Sequence, residues 1–269
     1  MKVVVKIGGS LMKEGVPTKL VSDIATASRV HQVVIVHGGG DVVTETASKL
    51  GKEQRFIVSP EGIRSRYTDM ETAEIYQMVM TGMLAKRLVL ALSKAGVIGI
   101  SVSGVDGRLL QGKRKTKLII IDERGRKVAI DGGYTGKVTA VNSSLIDDLL
   151  AHGYLPVVSP VAIGEDSEPL NIDGDRAASA LASSLGADVI LFATNVEGLS
   201  LDGKLVHHLT PEEASAKISK IGFGMQKKVM AAVEAVGAGV KEALICSGTR
   251  DSPLSRGLAH EGCTVISQA

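Results

Sequence analysis

The chain has 269 residues, 44% of them hydrophobic and 22% charged, and 31 Lys plus Arg against 29 Asp plus Glu leave a formal charge of +2. Near-neutrality argues against a nucleic-acid binder that works by broad electrostatics, and four Tyr, three Phe and no Trp leave few platforms for stacking single-stranded bases. Two cysteines, Cys246 and Cys263, argue against a disulfide framework or a cysteine zinc site, and the 31 glycines are too unevenly set for collagen.

The segment Met1-Lys2-Val3-Val4-Val5-Lys6 is too short and too charged for a signal peptide. No run approaches the roughly 18 apolar residues that a membrane span needs, so the sequence reads as a soluble, cytoplasmic chain. Continuous β-branched runs at 3–7, 33–36, 97–102, 155–158, 189–192 and 243–245 predict strands covered on both faces. Helical patterns lie between them at 18–30, 42–50 and 70–95, the last with Ile75, Met78, Val79 and Gly82 at helical spacing. Ser144 to Asp147 fits a capping box loosely, and Thr210-Pro211-Glu212-Glu213 fits one better. An Ala-rich helix is expected over 175–185. One stretch, 108–140, departs from this rhythm: 118–121 and 127–130 flank the turn-like Asp122-Glu-Arg-Gly125 and read as an inserted β-hairpin. The alternation predicts an α/β fold with a mainly parallel central sheet. We expect one domain over 1–269, with an N-terminal lobe of about 1–178 and a C-terminal lobe of about 179–269.

Five segments carry candidate chemistry. Lys6-Ile-Gly8-Gly9-Ser10 and His37-Gly38-Gly39-Gly40 each follow a strand, where backbone N–H groups can approach an anion without interference from Cβ atoms. A single Gly-Gly is as easily a tight turn, and neither segment is a Walker A loop or a G-x-G-x-x-G fingerprint. Arg64 and Arg66 offer planar forks for a carboxylate, or else are solvated surface charges. Asn171, Asp173 and Asp175 fall within five residues, either to bind a ligand or lysines or to cap the helix that follows. Gly222-Phe-Gly224-Met225-Gln-Lys227-Lys228 places two lysines at a helix start, where they oppose the dipole and point to a balancing anion such as phosphate. The six histidines show no metal-ligand spacing, no metal site is expected, and no serine sits in a G-x-S-x-G elbow.

Taken in order, these segments resemble the amino acid kinase family, in particular its N-acetylglutamate kinase branch. The motifs are K-x-G-G-S, V-H-G-G-G, R-Y-T-D, S-G-x-D-G (103–107), L-N-x-D-G-D, T-x-V-E-G (194–198) and G-M-x-x-K (224–228). The resemblance implies a three-layer αβα sandwich, an acidic substrate in the N-terminal lobe, and ATP in the C-terminal lobe. It implies that Lys6 and Lys228 flank the transferred phosphoryl group and that Asp175 holds them in place. Gly8, Gly9, Ser10, Thr194, Asn195, Gly224 and Met225 would then serve the nucleotide and its phosphates. Gly38, Gly39, Gly40, Arg66 and Asn171 would serve the substrate. Mg²⁺ would enter with ATP and be carried mainly by the phosphates. Two segments depart from the family pattern: Ala85 replaces Asn in G-x-x-N-K, and Asn195 replaces Asp in T-D-V.

Residues 65–69 (S-R-Y-T-D) and the run Lys113-Arg114-Lys115-Thr116-Lys117 further resemble kinases acting on α-aminoadipate or glutamate attached to a small acidic amino-group carrier protein, LysW, in lysine and arginine biosynthesis. Lys113, Arg114 and Lys115 would dock that carrier, since such a patch attracts an acidic protein, although lysines also commonly protect an edge strand. Two alternatives remain: a kinase of free N-acetylglutamate, and a catalytically silent nucleotide-binding protein. The family also implies a homodimer.

Overall fold

The computed structural model describes residues 1–268. Lys2–Ile7 is the centre of an eight-stranded sheet because its apolar run is buried on both faces: Val3, Val4, Val5 and Ile7 are fully buried. Gln32–His37 pairs with it in parallel on one side and Val189–Thr194 on the other. The full strand order is His208–Leu209, Thr264–Ser267, Glu242–Ser247, Val189–Thr194, Lys2–Ile7, Gln32–His37, Leu155–Ser159, Gly99–Ser103. Only the pairing of Glu242–Ser247 with Thr264–Ser267 is antiparallel. Alternate residues of the central strand feed two cores. Val3, Val5 and Ile7 pack with Leu20, Ile24, Leu84 and Leu88, and Val4 packs with Leu181, Phe192 and Ala232. Helices on both faces give the expected three-layer αβα sandwich, and every predicted strand lies in its sheet.

The inserted region is as expected, with Lys117–Ile121 antiparallel to Lys127–Asp131. Leu110–Arg114, Gly136–Val141, Val161–Ile163 and Pro169–Asn171 form a second, four-stranded sheet that brings Asn171 towards the Thr68 loop. At Ser144 the loose capping box is absent: Ser143 is the N-cap of Ser144–Ala151 and makes no side-chain cap bond. The Thr210 box forms, with Thr210 Oγ1 accepting from Glu213 N and Glu213 returning a carboxylate to Thr210 N.

The long helix is present but is not uniformly α. Met70–Gln77 and Ala85–Lys94 are α-helical, and Met78–Leu84 between them is a π segment. The wider turn shifts the apolar stripe by one residue. Ile75 and Tyr76 are buried before it, Val79, Met80 and Leu84 within it, and Leu88 and Leu92 after it. The expected stripe through Met78 and Gly82 is therefore wrong, since Met78 is 53% exposed and Gly82 is also exposed. By length and composition, Met70–Lys94 could cross a bilayer; here one face of it packs into the core.

Candidate active site

The carboxyl ends of the parallel strands converge, as ligand sites in such sheets do. Lys6 emerges there from the central strand, on the same face as Val4, against the helix Gly174–Ser184. Its Nζ lies 2.5 Å from Asp175 Oδ1, and Lys228 Nζ lies 3.3 Å from Asp175 Oδ2. Small residues permit this closeness. Ala178 and Ala182 face Ala231, Ala232 and Ala235 in one core, and Ser179 Oγ donates to Ala231 O at 2.6 Å across the two helices. All three charged groups are largely buried. Burial alone would raise the Asp175 carboxyl, but the Lys6 and Lys228 ammonium groups outweigh it and hold it below its usual range. Burial lowers Lys228, Asp175 opposes that shift, and the Lys6 charge adds to it.

The two lysines at the start of Phe223–Gly237 find their balancing anions within the protein. Lys228 meets Asp175, and Lys227 Nζ lies 3.5 Å from Asp173 Oδ2. Asp173 is also the N-cap of Gly174–Ser184, accepting from Asp175 N and Arg176 N. Asp173 is thus both cap and counter-ion, and Asp175 is a counter-ion alone. Three cations, Lys6, Lys227 and Lys228, still stand against two carboxylates, so one positive charge is left over for an incoming anion.

Beside this triad the two glycine loops touch backbone to backbone. A Cβ on Gly9 would sit 2.9 Å from Gly39 N, and one on Gly38 would sit 2.9 Å from Gly9 N. Any side chain would force the loops apart, which is why glycine is needed here. Among the described residues, the N–H groups of Gly9, Gly39 and Gly40 donate to no protein acceptor. Gly8 N–H is spent on Ala193 O, and Gly38 N–H on Ile7 O. Three free donors beside a surplus cation make an anion-binding concavity.

Arg66 reaches the same place from the short hairpin Phe56–Val58/Arg64–Arg66. Its Nη2 donates to Gly40 O at 2.7 Å and to Thr44 Oγ1 at 2.9 Å, and its Nη1 bonds Gln54 Oε1. Asn171 Nδ2 donates to Thr68 Oγ1 at 2.9 Å. Between them lies a residue the sequence did not single out. The buried Tyr76 hydroxyl donates to Pro160 O at 3.3 Å, and its ionisation, pushed up by burial, feels both Asp173 and Arg66. Only its distance in sequence from every motif hid it.

On the other side, Thr194 closes its strand next to Gly8, and its carbonyl accepts from Gly248 N at 2.7 Å. Asn195 follows it and is exposed; its Oδ1 accepts from Thr194 Oγ1. Gly224 is exposed in the first turn of Phe223–Gly237, with Met225 packed on the core beneath it, and Ser10 is exposed at the foot of the first glycine loop. The basic run divides. Arg114 is engaged by its own fold, with Nε donating to Gly133 O at 2.5 Å and the guanidinium 4.5 Å over the Tyr134 ring. Lys113 stands directly opposite Lys137 in the antiparallel register. Lys115 is held below the usual lysine range by desolvation and then by the Arg176 charge, with Lys227 and Lys137 adding to that effect. The cationic rim therefore includes Lys137 and Arg176, which no linear run reveals.

Residues 1–247 match the amino acid kinase family. The chain belongs to that family. It is 45% identical over 265 residues to the LysW-aminoadipate/LysW-glutamate kinase of Saccharolobus islandicus, covering 98% of this chain and 99% of that one. A Nitrosopumilus maritimus protein, provisionally given the same kinase name, is 50% identical over 264 residues, covering 98% of both chains. Among solved structures, an N-acetylglutamate synthase from Neisseria gonorrhoeae superposes with a TM-score of 0.81 at 23% identity; this chain is covered in full and spans 59% of that one. A carbamate kinase from Giardia lamblia bound to AMP-PNP gives 0.69 at 16% identity, with 100% and 98% of the two chains covered. These structural likenesses establish the amino acid kinase fold.

Proposed function

We propose that this amino acid kinase transfers the γ-phosphoryl group of ATP to the side-chain carboxylate of α-aminoadipate or glutamate carried on a small acidic carrier protein, LysW. The resulting acyl phosphate would serve lysine or arginine biosynthesis. The carrying observation is the Lys6–Asp175–Lys228 triad beside three free backbone donors. The substrate class is supported by the 45% identity to the Saccharolobus islandicus kinase over nearly the whole chain.

In this reading a carboxylate oxygen forms a bond to the γ-phosphorus while the bond to the leaving ADP oxygen breaks. No general base is required, because a carboxylate with a pKa of about 4 is already ionised at neutral pH. Catalysis rests on alignment and on charge placed where the transition state needs it. Lys6 and Lys228 meet the charge on the moving phosphoryl oxygens and on ADP, and Asp175 fixes both ammonium groups. Gly9, Gly39 and Gly40 donate N–H bonds to phosphate, with Gly8 and Gly38 shaping their loops. Thr194, Asn195, Ser10, Gly224 and Met225 border the nucleotide. Arg66 and Asn171 hold the substrate's α-substituents. Mg²⁺ arrives on the nucleotide: Asp173 and Asp175 are already paired with lysines, and no three metal-ligating side chains gather among the described residues. The ion would neutralise phosphate charge there.

Lys113, Lys115, Lys137 and Arg176 form the face that meets the acidic carrier. We further place the enzyme in the cytoplasm, as a homodimer, a state favoured by Met83, Leu90 and Ile98, which are exposed on or just after the long helix beside the edge strand Gly99–Ser103. The deciding assay gives the purified enzyme carrier-linked aminoadipate, carrier-linked glutamate and free N-acetylglutamate. Turnover confined to the carrier-linked acids is expected, and equal turnover on all three sinks the carrier dependence. Light scattering tests the dimer.

A further inference from the structure

His37 is the largest buried polar group for which the phosphoryl-transfer reading has no use. It ends the second strand, beside Ile7 in register, and is fully buried. Its two ring nitrogens face two oxygens: Nδ1 lies 3.0 Å from Gly38 O, and Nε2 lies 2.9 Å from Ser159 Oγ. Ser159 Oγ is also 3.2 Å from Met80 O, inside the π segment.

Proton counting assigns the tautomer. Burial first, and the Lys6 charge as well, pull the imidazole down to about 4, so it is neutral and carries one proton at physiological pH. Gly38 O can only accept. A proton on Nε2 would leave the Nδ1 lone pair facing that carbonyl at 3.0 Å. A proton on Nδ1 satisfies Gly38 O, and Ser159 then donates its single hydrogen to Nε2. Met80 O is not orphaned by this choice, because the π register already gives it the Ala85 N–H.

Holding one carbonyl fixes the next amide. A trans peptide is planar, so the Gly38 C=O and the Gly39 N–H point in opposite directions. With Gly38 O drawn inward to His37, the Gly39 N–H is turned outward on the side of Gly9. Glycine flanks both ends of this peptide, so nothing in its own side chains opposes a flip. We infer that His37 is a positioning residue that locks the Gly38–Gly39 peptide and thereby aims the Gly39 N–H into the phosphate-binding gap. The inference rests on the kinase reading for its purpose, but its geometry is independent of the acceptor.

Two near-isosteric variants separate this role from simple core packing. His37→Asn keeps a donor at the Nδ1 position and gives up Ser159, whereas His37→Gln reaches towards Ser159 and gives up Gly38. Losing one preorganised donor to a transferring group costs about 100-fold in kcat. His37→Gln should show that loss with an unchanged KM for ATP, while His37→Asn and Ser159→Ala should stay within about tenfold of the wild type. Equal losses in Asn and Gln variants, or losses that follow Tm, would overturn the inference. Crystal structures of both variants give a readout that needs no substrate: the Gly38 carbonyl should turn away in His37→Gln and stay in place in His37→Asn. An unflipped peptide in His37→Gln rejects the role of His37 whatever the enzyme phosphorylates. A flipped peptide with no turnover by the wild type rejects the kinase reading alone.

Discussion

The molecule uses cations in two opposite ways. At the triad, Lys6, Lys228 and Asp175 are largely buried, each held by a different element, and both ammonium groups share the one carboxylate, which leaves a single positive charge. At the rim, Lys113 and Lys137 face each other as like charges across two strands, with Lys115 and Arg176 nearby. Buried charges are scarcely screened and must be paired, so their geometry is fixed and salt should matter little. Exposed like charges repel weakly, in a way that salt relieves, and an acidic partner reverses the repulsion into attraction. The first arrangement suits chemistry that needs fixed positions; the second suits encounter, which needs only a field.

The largest effect is expected where the buried arrangement is broken. Asp175→Asn leaves two ammonium groups together in the interior without an anion. That should cost about 3–5 kcal/mol in a denaturant titration and about 1,000-fold or more in kcat. Because its carboxyl is held below the usual range, Asp175 contributes stability that is present above the ordinary carboxylate value and lost as pH falls through its own lower one. The variant should lack that acid-side component. Activity close to the wild type would refute the triad's role.

A smaller effect follows from Lys228. Its ammonium is held below the ordinary lysine value of 10.5, chiefly by burial. Activity should therefore decline on the alkaline side earlier than an exposed lysine would cause, by about tenfold per pH unit once past the limb. Lys228→Arg stays charged throughout, so whatever activity it keeps should show no such limb. A limb that survives the substitution belongs to another group.

Next comes the rim. Replacing Lys113, Lys115 and Lys137 together with Gln should raise KM for the carrier-linked substrate by about tenfold at low salt, leave kcat unchanged, and flatten the salt dependence of kcat/KM. A KM that does not move at low salt removes the docking surface from the proposal.

Most of the architecture was legible in the sequence because five of the six predicted strands are buried on both faces, and continuous β-branched runs carry that signal; the sixth, Gly99–Ser103, is a half-buried edge strand that the run at 97–102 still marks. The edge strand His208–Leu209 and its neighbour Thr264–Ser267 were missed, being two and four residues long and away from the centre of the sheet. The π segment was missed because helical periodicity cannot show one inserted residue when Met78 and Gly82 are themselves compatible with a stripe. At the site, Lys6, Asp175 and Lys228 stood in three separate motifs, and the fold brings their side chains together. Tyr76, Lys137 and the Lys227–Asp173 pair depend on which helix or strand lies opposite, and no local spacing encodes that.

The smallest effect tests whether Arg114 belongs with the rim at all. Its guanidinium is occupied by Gly133 O and the Tyr134 ring, and Asp131 Oδ1 lies 3.8 Å away, so much of its charge is already answered within the loop. Arg114→Met keeps the aliphatic stem while removing the hydrogen bond and the cation–π contact. Stability should fall by about 0.5–1 kcal/mol, read as a small drop in Tm. KM for the carrier-linked substrate should shift less than in Lys113→Gln alone. If instead Arg114→Met raises KM more than Lys113→Gln and leaves Tm unchanged, then the engaged cation is the one that meets the carrier. The division between charges used by the fold and charges used for encounter would then fall on the other side of Arg114.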